Sequence, residues 1–340
     1  MKLSILVPVY NEIRYIKLLT EKLIDCFKNE DVEYIFINDG STDGSKEWLE
    51  NFSKNNSDYQ IKFININTNK GKGMALREGL KHSIGDYILF QDSDLELDPQ
   101  DSYEMYKIIK NDSKIQCLFG TRYLSGKLKR NRNFINEIVG RLNSIIFNFL
   151  FHQSVSDVHC GTKIISKQIK DKINLTINDF GFEIDLATQI VKNNFDIFEY
   201  GISYFARTAD EGKKITWIDG LKSYYYLFRT RFIDNSISTQ FSIFFSVVYM
   251  TYIGSFFGLG TGKILMVFFT MILGLFIGLH RKIASSSIIY ILCFVGSLFS
   301  NGNGKIYTVL IGFILGIYLS KKFASLLKKS TENRFINFFV

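Results

Sequence analysis

Proline is nearly absent from this 340-residue chain, which holds only Pro8 and Pro99. No low-complexity linker and no internal repeat is visible, so a string of loosely tethered modules is excluded. Cysteine is scarce as well. Cys26, Cys117, Cys160 and Cys293 show neither metal-type nor paired spacing and read as reduced core residues, with Cys160 set apart because it lies in a motif. The first apolar run ends in "VPVYNE", not in GxGxxG, and "NKGKGMA" carries only part of that pattern. Neither GxxxxGK[ST] nor GxSxG occurs. Dinucleotide-binding, P-loop and nucleophile-elbow chemistries are thereby set aside.

A further absence is regional. Asn235–Gly262, Ile264–His280, Ile283–Gly304 and Ile306–Ser320 contain no Asp, Glu, Lys or Arg, apart from Arg281 and Lys282, Lys263 and Lys305 between them. Roughly 20 apolar residues span a bilayer. The shorter runs are bounded by Lys or Arg, whose stems reach toward the headgroups. Two to four transmembrane helices are expected, with four preferred over a buried helical core. Arg281, Lys282, Lys321, Lys322, Lys328 and Lys329 crowd one side, against Lys263 and Lys305 on the other. Positive residues mark the cytoplasmic face, and no signal peptide precedes the first strand. An integral membrane protein with its N-terminal domain and C-terminus in the cytoplasm is expected. The formal charge of +8 suits an anionic membrane surface or anionic substrates, and nothing points to nucleic acid.

What is present in the first 230 residues is an alternation of strand and helix patterns. "KLSILVPVY", "EYIFIND", "IKFINI", "DYILF" and "IQCLFG" read as strands, and residues 12–28 and 73–83 as helices. A further helix is expected after "GSTDGS", whose Ser and Asp can cap it. The pattern predicts an α/β fold with a mostly parallel sheet. Ligands in such sheets bind beyond the carboxyl ends of the strands. Those ends carry Tyr10, Asn11 and Glu12; Asp39; and Asp92, Asp94 and Glu96.

The last three acids fall at alternate positions of "QDSDLE". In an extended segment they would point the same way and converge on a hard cation such as Mg2+ or Mn2+. Read alone, the pair Asp92 and Asp94 is equally a solvated turn, with Asp94 capping the segment after it.

Set in order, "SILVPVYNE", "INDGSTDGS", "NKGKGMALREG" and "QDSDLE" resemble the family 2 glycosyltransferases of GT-A fold. "GTRYLSGKLKRNRN", "DVHCGTKIIS", "GFEIDLATQIVKNNFDIFEYGISYFAR" and "RTADEGKKITWIDGLK" resemble the dolichol-phosphate mannose synthase branch and its bacterial polyprenyl-phosphate relatives. The likeness covers about residues 1–232. QxxRW, carried by processive synthases of the wider family, is missing, which argues for transfer of a single sugar. The resemblance implies a donor pocket lined by Pro8, Tyr10, Asn11 and Glu12, with Asp39 at the base and Lys70 shaping the donor site. It implies that Asp92 and Asp94 meet the donor sugar, ribose or metal, with Glu96 as a third metal ligand. Arg122 and Arg132 would receive the acceptor phosphate. Arg207, Lys213 and Lys214 would close over the donor phosphates. Asp157 and Glu183 either orient basic groups around the donor or pair within the core. His159 and Cys160 are read as structural.

The implied reaction is inverting transfer from a UDP- or GDP-linked sugar to a polyprenyl phosphate. The acceptor is already anionic, so no dedicated general base is required, and none stands out. Charge developing on the leaving diphosphate needs a metal and fixed Arg or Lys. The expected layout is a catalytic domain over 1–214, a juxtamembrane amphipathic helix over 215–236, membrane helices over 237–322 and a basic tail over 323–340. Residues 134–151 also have apolar helical spacing. That helix either lies at the bilayer or packs on the catalytic domain. A homo-oligomer is compatible with this reading. Two alternatives stand beside it: a glycosyltransferase using another lipid or glycan acceptor, and a non-catalytic membrane protein that keeps the fold.

Overall fold

The structure is a computed structural model and describes residues 1–124, 126–130, 134–208, 210–212, 217–235, 237–255, 261–280, 289–290, 293, 309, 311–316 and 319. Its contacts divide the chain into two compact units, Met1–Phe228 and Arg229–Val340.

The first unit opens with β1 (Leu3–Val9), α1 (Ile13–Phe27), β2 (Val32–Asp39), α2 (Ser45–Asn55), β3 (Gln60–Ile66), α3 (Lys72–His82), β4 (Tyr87–Phe90) and α4 (Pro99–Asn111). Every residue of β1 and β2 is buried, as expected of strands covered on both faces, whose sequences are continuous apolar runs. On α1, Ile16, Leu19, Leu23 and Phe27 recur at helical spacing and are buried. Asp98 caps α4 by accepting from the Gln100 N–H, with Pro99 at the first helical position.

The chain continues through β5 (Cys117–Thr121), β6 (Lys129–Arg130), α5 (Phe134–Phe151), β7 (Lys163–Ser166), α6 (Lys167–Lys172), α7 (Phe182–Lys192), β8 (Phe198–Gly201), β9 (Tyr204–Phe205) and α8 (Trp217–Phe228). The main sheet has seven strands in the order β3-β2-β1-β4-β7-β5-β8. All neighbours pair in parallel except around β7, which runs antiparallel to both β4 and β5. The order reverses at β1, between β2 and β4, which opens a crevice at the carboxyl ends of those strands.

A second, two-stranded sheet pairs β6 with β9. It is stitched to the segment after β4, because the Phe205 N–H donates to the Glu96 carbonyl at 2.9 Å. This bond carries residue 207 to the mouth of the crevice.

Helix α5 is apolar on more than one face. It buries Gly140, Asn143 and Ser144 along with Phe147, Leu150 and Phe151. Phe134, Ile135, Ile145 and Phe149 are all more than 60% exposed.

Of the amphipathic helix expected over 215–236, the α-helical part α8 ends at Phe228, and a π-helical turn (Arg229–Ile233) comes after it. In the second unit, α9 (Ile237–Gly254) and α10 (Thr261–His280) run antiparallel and touch closely. A side chain at Gly274 would strike the Ser246 carbonyl, and one at Gly278 the backbone of Ile243. Close approach through small residues four apart is a packing mode common between membrane helices. Among the described residues, no helix is long and apolar enough to cross a membrane. The spans expected over 283–304 and 306–320 lie largely outside the described residues, and the tail 323–340 wholly so.

Candidate active site

The loops after β1 and β2 lock together first. The Asp43 carboxylate accepts from the N–H groups of Ile13 and Ser45, at 3.0 Å each, so one acid serves the starts of both α1 and α2. The Ser45 hydroxyl accepts from the Glu12 N–H at 3.0 Å. Asn11 takes φ +51°, and its side chain accepts from the Thr42 N–H. Asn11 therefore shapes the loop rather than lining the cleft, while Pro8, Tyr10 and Glu12 do line it.

Asp39, at the end of β2, accepts from the N–H groups of Lys70 and Gly71 at 2.8 Å each. It thus fixes the loop that leads into α3. Gly71 has φ +98° and no room for a side chain, since a Cβ would lie 2.5 Å from the Asn178 carbonyl. The turn sends the Lys70 side chain to solvent, while Lys72 lines the cleft. Lys70 thus meets Asp39 through its backbone amide, and Lys72 is the lysine that lines the cleft among the described residues.

The segment after β4 is not extended. It turns at once, with Leu95 at φ +56°, so the alternation that would aim three acids together does not apply. Asp92 pairs with Lys72 at 2.7 Å, and Lys72 also pairs with Glu183 at 2.6 Å. Asp94 pairs with Arg207 at 3.1 Å. Glu96 accepts from the Tyr204 hydroxyl on one oxygen and from the Arg207 N–H on the other. Each Glu96 oxygen accepts one of these bonds and, as in any ionised carboxylate, keeps further lone pairs, so the expectation of a third metal ligand stands as an expectation. Among the described residues no group of three His, Cys, Asp or Glu could hold a metal.

Arg207 is buried. Its guanidinium donates to Glu12 at 2.9 and 3.2 Å and to Asp94, and it lies over the Tyr15 ring. Burial opposes its charge, but Asp94, Glu12 and Glu96 hold the guanidinium protonated well above its ordinary range. Lys213, Lys214 and Arg132 lie outside the described residues.

Among the described residues the cleft lining brings Glu12, Asp39, Asp92, Asp94 and Glu96 together against one lysine and one arginine. This imbalance has a physical consequence. Burial, followed by the charges of Asp92 and Glu96, pushes the Asp94 carboxyl up to about 7, with Arg207 only partly compensating. A diphosphate would be repelled by such a cleft unless more positive charge entered with it. A divalent cation fits this donor set: Mg2+ commonly takes one or two carboxylates and completes its shell from phosphates and water.

Arg122 stands apart from the acids. It grips Asp157 through Nε at 2.7 Å and a second nitrogen at 2.8 Å. Burial works against both charges, yet the pair holds Asp157 below the usual carboxylate range. The guanidinium also lies over the Tyr204 ring, 5.2 Å from its centroid, and so backs onto the residue that holds Glu96. His159 and Cys160 are unsuited to proton transfer near neutrality. Burial brings the imidazole down to about 4 and pushes the thiol up to about 12.

The model of glycosyl transferase family 2 matches residues 4–173, half of the chain. The chain belongs to glycosyl transferase family 2. Among curated relatives of this family member is the dolichyl-phosphate beta-glucosyltransferase of Dictyostelium discoideum, 29% identical over 227 residues, covering 63% of this chain and 68% of that protein. Another is the dolichol-phosphate mannosyltransferase of Pyrococcus furiosus, 25% identical over 216 residues, covering 63% of this chain and 59% of that protein. Glucosyl-3-phosphoglycerate synthase from Mycobacterium tuberculosis, solved with Mn2+, UDP and glucosyl-3-phosphoglycerate, superposes with a TM-score of 0.53 at 19% identity. The match covers 69% of this chain and 81% of that one. The same synthase has been solved with Mg2+ and UDP. At that identity the likeness shows the fold alone, and the fold is GT-A. The chain is a glycosyltransferase.

Proposed function

We propose that this glycosyltransferase moves one sugar, with inversion, from a UDP- or GDP-linked donor to a polyprenyl phosphate at a membrane surface. The observation that carries the reading is the acid-rich cleft around Arg207, at the switch point of the sheet, in a chain whose curated relatives are dolichyl-phosphate sugar transferases by name. Asp92 and Asp94 would hold Mg2+ or Mn2+ against the donor diphosphate. The ion, when bound, supplies the Lewis acidity that neutralises the leaving group. Asp39 positions the loop at the base end of the cleft. Arg207, fixed by Glu12 and Glu96, stabilises charge that develops on the diphosphate. Arg122, set at the far side of Tyr204, is the candidate contact for the acceptor phosphate, since a planar guanidinium keeps donors to spare beyond the two used on Asp157.

The bilayer partner is supported by α5, which exposes Phe134, Ile135, Ile138, Leu142, Ile145 and Phe149 beside Arg141. Such a face suits an interface between headgroups and acyl chains. The uncharged C-terminal runs extend the same reading to an integral membrane protein with its catalytic unit in the cytoplasm. The division 1–214, 215–236, 237–322 and 323–340 belongs to this proposal.

Membranes holding the protein are incubated with a panel of labelled UDP- and GDP-sugars, with and without added prenyl phosphate, and the lipid is extracted. Label in an acid-labile prenyl-phosphate sugar is the expected result. Label found only on a neutral hydroxyl acceptor would remove the polyprenyl-phosphate reading.

A further inference from the structure

Asp92 is held by more than the motif it belongs to. One oxygen, Oδ1, receives the Lys72 ammonium at 2.7 Å. The other, Oδ2, presses against Gly161, where a Cβ would collide with it. With the carboxylate in that position, only glycine fits behind it. Lys72 is in turn anchored by Glu183 at 2.6 Å. Glu183 stands in the first turn of α7, where the helix dipole favours a negative charge, and it is almost fully buried. Burial disfavours the ammonium, but Asp92 and Glu183 together raise Lys72 well above the ordinary lysine range, so it stays charged.

We propose that Lys72, Glu183 and Gly161 form a holder that fixes the direction of the Asp92 carboxylate, with Glu183 and Gly161 acting as positioning residues for the donor and its cation. The proposal rests on the donor-site reading above. A lone carboxylate at a loop turns about two side-chain bonds. A lysine pinned by a second acid removes that freedom on one side, and the bare glycine admits the carboxylate on the other. Geometry held by the protein before binding lowers the ordering cost of the ligand.

The test is calorimetry on the purified full chain in detergent, titrated with Mn2+ plus UDP and, in parallel, with Mn2+ plus GDP. Gly161→Ala leaves every charge in place yet displaces the carboxylate. Glu183→Gln leaves the shape but frees Lys72. Each is expected to weaken nucleotide binding by about tenfold or more, the scale of a misplaced charge-assisted contact. In an Asp92→Asn background neither substitution should weaken binding further, because their effects run through that carboxylate. Should Glu183→Gln fail to fold, Gly161→Ala carries the test alone. Additive losses in the Asp92→Asn background, or unchanged binding in folded variants, overturn the holder while leaving the donor site intact. A wild type that binds neither nucleotide overturns the donor-site reading, and the holder with it.

Discussion

Arg207 and Arg122 are both largely buried and both grip carboxylates, yet their surroundings are opposite. Arg122 meets one principal acid, Asp157, and the two charges match. Arg207 faces Glu12, Asp94 and Glu96 at once, and burial, followed by the charges of Asp92 and Glu96, raises the Asp94 carboxyl. A matched pair is what a fold needs to bury an arginine. A surplus of acid is destabilising unless a cation joins it. One arginine thus sits in a charge-matched pair, the other among several acids.

The largest effect on this contrast is expected from Asp94→Asn. Transfer should fall by about 10²-fold or more, as for loss of a principal electrostatic contact, while thermal stability holds or rises because one repelling charge is gone. Chelator should abolish turnover, and Mg2+ or Mn2+ should restore it. Full turnover in EDTA would remove the metal from the scheme.

Arg122→Ala acts on the matched pair. It leaves Asp157, which is fully buried, without its main partner, and breaking a buried pair costs about 3 kcal/mol. A drop in the denaturation midpoint is expected, where Asp94→Asn shows none. Equal midpoints for the two variants would mean that the pairs do not differ as described.

The pH dependence of the two acids should also run in opposite directions. The Asp94 carboxyl is raised in the folded protein, so its contribution to stability is present below the ordinary carboxylate range and is lost as pH rises through about 7. Asp157 is lowered, so its contribution is present above that range and is lost on acidification. Mn2+ should therefore raise the melting temperature more at pH 8 than at pH 6, because protons compete with the ion for Asp94. A thermal-shift series across that window checks it, and an ion effect that weakens toward pH 8 would contradict it.

The smallest effect expected is that of Tyr204→Phe. It removes one hydrogen bond to Glu96, worth about 1–2 kcal/mol, and should loosen Arg207 without emptying the site. Initial rates should fall several-fold, with a drop in the denaturation midpoint smaller than that of Arg122→Ala.

Much of the donor half is legible in the sequence. The strands β1, β2 and β4 are mostly apolar, and polar residues at their ends reach the crevice as the α/β rule requires. The antiparallel strand β7 is not legible, because "KIIS" is too short and too near a motif to display a direction. Sequence alone does not tell Lys70 from Lys72, because one left-handed glycine, Gly71, decides which of the two faces in. An extended row of acids fails at Leu95, whose positive φ belongs to a turn that no composition signals. Glu12 and Arg207 lie 195 residues apart, and no local pattern joins them. Glu183 carries a faint sign: two acids, Glu183 and Asp185, open a helix whose other early residues are apolar, "GFEIDLA", and invite a search for buried partners.

The Arg207 cleft, on this reading, serves the donor and Arg122 the acceptor. The decisive measurement is initial-rate kinetics on purified protein, with nucleotide sugar and prenyl phosphate varied in turn, for Arg207→Ala and Arg122→Ala side by side. Arg207→Ala is expected to lower turnover more than donor affinity, and Arg122→Ala to raise the requirement for prenyl phosphate more than that for nucleotide sugar. The same change in both substrate requirements for both variants, or no change for either, would contradict this division of labour.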